Sequence, residues 1–451
     1  MRTRTVAFLL LGYLCMGRSF AYWGIPPVHI FIGEVFLAWF LFSGPSNSAG
    51  RWPWAAMRSQ ELSQFTKVFV VFLALGIFEM LRGLLLGHPP LTAMRDLAFN
   101  YYPIYFFLGL WAALEDPDFL PKLLRLAGWV NGVYGILFVL ALSRIPWLFP
   151  GISQEVEPVS IFGQPSFSAM ILLGLLSFEK ELGRVWLLLT LNAAVMLGML
   201  IRAEWVAFAT GLVLWTCFTG RIKKALLCAA LVLALLGLMY VTNFTYEGPE
   251  TRGRTISARD LIGQVVAPFN SSLAANFTSD AFNSELSEGT TVFRLLYWAG
   301  VWSSVHETLG RALLGHGYGY SLGGVVSELN LDVRTPHNLF FYALGYTGWI
   351  GVAIFGLFLL TIFRLQLEAY RKTHQPFGLV LWVAVLAFAF FTPFFETPQG
   401  AIPFYLLEGC SCGALLCREV RGSVPAAFTF ELRWNDSRVQ GTRPNLSLAA
   451  D

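Results

Sequence analysis

The residues of this chain best suited to chemistry are two arginines and a histidine set among apolar neighbours. His337 and Asn338 follow Arg334-Thr335-Pro336 and open a long apolar run. Pro336 favours a helix start at this point. His337 would then sit near the positive end of a helix dipole, a field that favours the neutral imidazole able to accept a proton. Arg202 lies in Ile201-Arg202-Ala203-Glu204, between two apolar runs with almost no loop. A guanidinium at membrane depth is costly unless paired or wet, which makes it a functional candidate; it can equally pair with Glu204 or reach lipid headgroups. Arg294 shares one helical face with Trp298, Trp302 and His306, which recur at every fourth residue. An arginine fork holds phosphate oxygens, and a neutral imidazole can take a proton from an attacking hydroxyl. Together they suit transfer from a diphosphate-linked lipid donor, with the diphosphate as leaving group. The plainer alternatives are an interfacial histidine and a lipid-phosphate contact.

Such residues need a scaffold to bring them together. Of 451 residues, 56% are hydrophobic and 13% charged, whereas soluble domains carry about 25% charged residues. Mean hydropathy is +0.59. A soluble core cannot hide this much apolar surface, but a bilayer can. A spanning helix takes about 20 apolar residues. Candidate runs occur at 5–21, 28–42, 67–86, 100–114, 123–142, 166–178, 185–201, 204–218, 225–241, 338–363, 377–391 and 401–417. The expected fold is an all-α polytopic membrane protein with about 12 transmembrane helices. Nine spans fall in 1–241 and three in 338–417, separated by one large loop, 242–337, and followed by a cytoplasmic tail, 418–451.

With the N-terminus inside and sides alternating, twenty of the 31 Lys and Arg residues fall on inside segments and five on short outside ones. The remaining six lie in the large loop, so the distribution obeys the positive-inside rule. Arg2 and Arg4 before the first run resemble a signal peptide, but no small-residue cleavage site follows, so an uncleaved first span is expected. Nine spans before the loop would place it, with His337, Arg202 and Arg294, on the outer face. Within the loop, apolar spacing over 291–315 predicts an amphipathic helix on the membrane surface, its Trp residues at headgroup depth. A net charge of +3 gives no reason to expect a nucleic-acid partner.

Other candidates are weaker. Glu396, in the turn Phe395-Glu396-Thr397-Pro398, falls on the same face as His337 and could be a second acid/base or an acceptor contact. Asp116-Pro117-Asp118 has the form of some metal–nucleotide sites but falls on the opposite face, where a proline turn explains it. Glu34, Glu79, Asn131 and Asn192 lie inside apolar runs and suit either an ion path or helix–helix hydrogen bonds. Cys15, Cys217, Cys228, Cys410, Cys412 and Cys417 all lie in or at the ends of apolar stretches, so neither disulfides nor a zinc site is expected. No metal and no cofactor are expected. Asn243, Asn270 and Asn276 open Asn-x-Ser/Thr triplets read as chance.

The pattern resembles the bacterial O-antigen ligases and O-antigen polymerases, which pair about a dozen spans with a large late periplasmic loop. Their His-Asn opening with Gly-x-x-Gly downstream is matched from His337-Asn338 to Gly348 and Gly351. Their Arg-x-x-x-Trp element with a later Gly-x-Gly is matched by Arg294 to Trp298 and by Gly315-His316-Gly317-Tyr318-Gly319. Their short arginine turn resembles the turn at Arg202, and Gly163-Gln164-Pro165 resembles a further family element. The likeness covers 163–409. A glutamate often found before the first motif glycine is Tyr346 here, and the Ser-Arg-Gly of the short turn is Ile201-Arg202-Ala203, so no subgroup is indicated.

The resemblance implies a GT-C-like fold and a metal-independent glycosyltransferase of the bacterial inner membrane, with both termini cytoplasmic and the loop periplasmic. It implies His337 as the catalytic residue, with Arg202 and Arg294 on the donor diphosphate and Asn338 and Glu396 as further substrate contacts. The donor would be a polyprenyl-diphosphate-linked glycan and the acceptor a lipid or glycan, in surface polysaccharide or lipopolysaccharide biosynthesis. A transporter or flippase of lipid-linked sugars is the competing class; it would need a polar path and often repeated halves, and neither stands out. An inactive glycan-binding subunit is a third.

Overall fold

Most of the apolar runs form helices, because a backbone away from water must satisfy its N–H and C=O groups within its own segment. A computed structural model describes residues 2–25, 30–42, 60–145, 161–179, 181–247, 255–266, 273–274, 277, 284–325 and 334–423. The tail beyond 423, Arg51, Arg58, Lys180, Asn270 and Asn276 lie outside the described residues. The helices are α1 (Arg2–Ala21), α2 (Ile32–Phe42), α3 (Gln60–Leu85), α4 (Pro90–Asp96), α5 (Ala98–Tyr101), α6 (Ile104–Glu115), α7 (Phe119–Leu140), α8 (Ser168–Phe178) and α9 (Trp186–Gly198). They continue with α10 (Arg202–Thr219), α11 (Ile222–Val241), α12 (Ala258–Val266), α13 (Ser284–Val305), α14 (Leu309–Leu314), α15 (Leu339–Thr373), α16 (Phe377–Ala389) and α17 (Pro398–Ser423). Two short antiparallel strand pairs, Gly24–Ile25 with Ile30–Phe31 and Thr245–Glu247 with Thr255–Ser257, are the described β structure.

Long apolar helices make the chain a multi-pass helical membrane protein, but the expected count of twelve spans does not hold. Among the described residues four helices are long and apolar enough to cross: Leu62–Leu85, Phe119–Leu140, Ile222–Val241 and Leu339–Thr373. A fifth arises if Pro90–Tyr101 and Ile104–Glu115, bent by 40°, form one broken span. Several expected spans stop short. Those in α2 and α8 fold as 11 helical residues and those in α9 and α16 as 13. At about 1.5 Å per residue, such helices reach about 20 Å against a hydrocarbon core of about 30 Å. The apolar residues of α8, α9 and α16 are instead largely buried: every residue of α8 from Ser168 to Leu176 is buried, whereas α2 leaves Val35, Trp39, Leu41 and Phe42 exposed. The alternation of sides along twelve spans therefore loses its basis.

Contacts still define the two ends of the bundle. Tyr370 OH donates to Phe218 O at 2.9 Å, joining the end of α15 to that of α10. Thus α16, which follows α15, starts near the end of α10 and runs antiparallel to it, with Ala384 against Gly211. Arg202, at the start of α10, and Phe390, just past α16, consequently share the opposite end. His337 belongs there too, because its neighbour Asn338 donates to Phe390 O.

The polar residues inside the apolar runs join helices. Asn131 Nδ2 donates to Asn192 Oδ1 at 2.8 Å and to Ser168 Oγ at 3.0 Å, and Asn192 Nδ2 donates to Gly128 O at 2.9 Å, tying α7, α8 and α9. Glu34 accepts from Tyr101 OH at 2.9 Å, tying α2 to α5, whereas Glu79 pairs with Arg82 at 2.7 Å within α3. Asp116 accepts the Asp118 N–H at 3.0 Å and pairs with Lys122, which makes Asp-Pro-Asp a turn before α7. The five described cysteines are free thiols.

Candidate functional site at the Arg202–His337 end

A break in α15 shapes this end of the bundle. Gly348 has φ 61° and ψ −165°, a conformation that disfavours any side chain. A Cβ there would also lie 2.4 Å from the Leu313 carbonyl carbon, so the glycine lets the backbone of α14 cross the helix at contact distance. The carbonyls of Gly345 and Tyr346, whose helical partners lie across the break, accept from His316 N at 2.8 Å and Gly317 N at 2.9 Å. Gly348 thus ends one regular segment and receives the Gly315–Gly319 loop. On its other side that loop meets α3 and α4. Arg82 donates to the carbonyls of Leu314 and Gly315, and Asp96 accepts the Gly319 N–H at 2.8 Å.

The expected helix over 291–315 is two helices, α13 and α14. Thr308 interrupts it by capping α14, its hydroxyl accepting the Arg311 N–H at 3.2 Å. The shared face holds: Trp298, Trp302 and His306 all turn toward α15. Trp298 Nε1 donates to Pro336 O at 2.8 Å, and its ring stacks on Phe341 with centroids 5.4 Å apart. Trp302 meets Trp349 edge-on at 6.0 Å, and Trp349 Nε1 donates to His306 Nε2 at 3.2 Å. Val292, Leu295 and Leu296 cover the exposed face of α13.

Arg294, one turn before Trp298, is thereby set beside His337. The Arg294 guanidinium is half-buried and, among the described residues, has neither an ion pair nor a hydrogen bond. Burial lowers its proton affinity. His337 has a left-handed backbone, φ 50°, uncommon for a residue with a side chain. Burial, with the positive charge of Arg294 adding to it, pushes its imidazole down to about 4. The ring is therefore neutral at physiological pH, and neither nitrogen has a partner among the described residues.

Asn338 serves the fold. Its Oδ1 caps α15 by accepting from Phe340 N at 2.9 Å and Phe341 N at 3.1 Å, and its Nδ2 donates to Phe390 O at 3.0 Å. Fully buried, the amide leaves little for the substrate contact expected of it. Glu396, in the turn between α16 and α17, accepts the Phe394 N–H at 3.0 Å through Oε2, while its buried Oε1 has no partner among the described residues. Burial, with the nearby Asp96 charge adding to it, pushes this carboxyl up to about 7.

Arg202 stands at the same end but on a different pair of helices. Glu204, in the same turn, reaches the start of α8, where its Oε1 accepts the Ala169 N–H at 2.9 Å. The structure thus brings Arg294 and His337 together, places Glu396 and Arg202 at the same end, and makes Asn338 a cap.

Sequence reasoning missed two partners. Arg334 pairs with Asp96, and its guanidinium lies over the Tyr346 ring at 5.9 Å. Arg334 lies three residues before His337 and was within reach of a motif reading; Asp96 is more than 200 residues away, and only folding joins them. Among the described residues, no three His, Cys, Asp or Glu side chains group as a metal site. Compared with known proteins, the chain matches no protein-family model and no curated relative.

Proposed function

We propose that this protein is a membrane glycosyltransferase of the O-antigen ligase or polymerase type, using a polyprenyl-diphosphate glycan as donor. One observation carries the proposal: Arg294, half-buried and without a counter-charge among the described residues, stands beside a neutral His337. Holding a desolvated, unpaired guanidinium is costly, and an arriving phosphate removes that cost through charge-assisted hydrogen bonds.

The acceptor hydroxyl attacks the anomeric carbon of the donor sugar. A new C–O bond forms, the bond to the diphosphate breaks, and its electron pair leaves on the diphosphate oxygen, which Arg294 stabilises. An imidazole held at about 4 is a weak base, so His337 positions the hydroxyl by donating its ring N–H to the hydroxyl oxygen, which leaves the hydroxyl proton free. Glu396, at about 7, is matched to neutral pH and takes the proton. Arg202 is a further donor contact on this reading, and the outward, periplasmic orientation and inner-membrane location belong to it as well.

The experiment supplies purified protein with lipid-linked glycan and acceptor, with EDTA present, and measures released polyprenyl diphosphate. Arg294→Gln and His337→Ala should each lose turnover while remaining folded; full turnover in Arg294→Gln would refute the proposal, and strict metal dependence would refute the mechanism. One transfer to a foreign acceptor marks a ligase, and a lengthening product a polymerase.

The flippase reading draws on Glu408, fully buried in α17 with no partner for either carboxyl oxygen among the described residues. A buried acid without a partner among apolar helices is the kind of group that lines an ion path. That reading predicts movement of lipid-linked glycan across vesicle membranes with no diphosphate lipid released.

A further inference from the structure

The Arg334–Asp96 pair lies beside this site and has no part in the reaction drawn above. Asp96 is buried, and its Oδ2 accepts both the Gly319 N–H and the Arg334 guanidinium. One oxygen thereby ties α4 to the glycine loop and to the segment carrying His337. Arg334 gives Asp96 a single terminal nitrogen. Its other N–H groups meet no acceptor among the described residues, and its side chain is 22% exposed.

The hydrogen bond from Trp298 to Pro336 holds α13 against this same segment, which carries Arg334, and so brings Arg294, one turn before Trp298, to its side. Tyr297, three residues on from Arg294, lies within the field of Arg334. Arg95, next to Asp96, adds its charge to the field on that carboxylate and makes no hydrogen bond or ion pair among the described residues. Arg95 and Arg334 thus lie within the field of Asp96, and Arg294 within that of His337, so three guanidinium groups are set against one paired carboxylate and Glu396. Such an excess of half-buried positive charge calls for an anion carrying more than one negative charge.

Resting on the donor-diphosphate reading above, we propose that Arg334 is a second anion-binding residue of this site, held ready by Asp96 until a diphosphate engages its free N–H groups alongside Arg294. Asp96 is then a positioning residue that competes with the ligand for Arg334. This gives the two partners opposite signs. Losing Arg334 removes charge-assisted hydrogen bonds and should weaken binding by about 10–100-fold. Neutralising Asp96 frees Arg334 and should tighten binding.

The test uses the full-length protein in neutral detergent at neutral pH, with inorganic pyrophosphate and farnesyl diphosphate as calorimetric probes. Arg334→Gln should bind both at least about tenfold more weakly, and Asp96→Asn should bind both more tightly while unfolding at a lower temperature. A purely structural ion pair would instead leave Asp96→Asn unchanged or weaker, which overturns the proposal. Unchanged binding by Arg334→Gln alongside weakened binding by Arg294→Gln overturns it too, but leaves the transfer reading standing. No binding of either probe by the unaltered protein removes the donor site and that reading with it. Phosphatidylglycerol micelles that displace farnesyl diphosphate one for one would mark a general headgroup site and refute the diphosphate assignment. If Arg334→Gln does not fold, Arg334→Lys serves: it keeps the charge beside Asp96 without the fork and should bind several-fold more weakly, whereas equal binding overturns the proposal.

Discussion

Replacing Asn338 with alanine removes three hydrogen bonds at once and asks whether this residue holds the site or touches the substrate. The side chain caps α15 through Phe340 N and Phe341 N and reaches across to Phe390 O. Loss of an N-cap costs about 1 kcal/mol. Loss of the donor to the Phe390 carbonyl, which ends α16, costs about 1–3 kcal/mol. The expected sum is about 2–4 kcal/mol. Asn338→Asp keeps both cap acceptors but loses the Nδ2 donor and turns a carboxylate toward a carbonyl, so it should fall between alanine and the unaltered protein. Hydrogen exchange at the amides of Phe340 and Phe341, with unfolding temperatures in detergent, reads the effect directly. In Asn338→Ala those two amides should exchange faster, and any loss of farnesyl diphosphate binding should track the loss of stability across the series. The capping argument is refuted if Asn338→Ala remains as stable and as protected as the unaltered protein yet no longer binds the diphosphate. Asn338 would then be a substrate contact.

Other expectations concern pH and backbone. His337 and His316 are both held down to about 4, chiefly by burial, from an ordinary value of 6.5. The folded protein then stays neutral where the unfolded chain takes up protons, so their contribution is complete above pH 6.5 and lost as pH falls toward 4, roughly 3 kcal/mol for each. Unfolding temperatures should drop across that window, less steeply in His337→Gln and His316→Gln; profiles that overlay the unaltered protein would contradict the assignment. Glu396 has the opposite sign. Its folded value, about 7, lies above the ordinary 4.5, so its contribution is present at low pH and lost as pH rises from 4.5 through 7. Glu396→Gln should flatten that loss and abolish any activity limb near neutrality, and an unaltered limb would exclude Glu396 as the proton acceptor. Gly348→Ala forces a side chain into a left-handed backbone and against Leu313, and should cost more than about 2 kcal/mol. The amides of His316 and Gly317 should then lose protection from exchange, because their acceptors lie beside the break.

Much of the helical content and the apolar character was legible in local sequence. Both follow from composition and from the backbone's need to close its own hydrogen bonds. The common face of Trp298, Trp302 and His306 was legible too, because a 3.6-residue period is a local property. The number of crossings was not. An apolar run of 11 or 13 residues buried among helices looks, in sequence, like part of a membrane span, since both environments exclude water. Similarly, Asn338 beside His337 looked like a substrate contact because the motif places them together. The helix start at Leu339 and the carbonyl at Phe390 give its amide a capping role that no local motif shows.

The sequence by itself determined the chemical groups available at this end of the protein: arginine forks, an imidazole, and carboxylates in apolar surroundings. It also determined which of them share a helical turn. Only the tertiary structure decided their states. Burial depends on which distant segments come to cover a side chain, and it is burial that keeps His337 neutral, raises Glu396 and leaves Arg294 desolvated. The pairing of Arg334 with Asp96 has the same origin, because a charge partner more than 200 residues away is chosen by packing and by no local spacing.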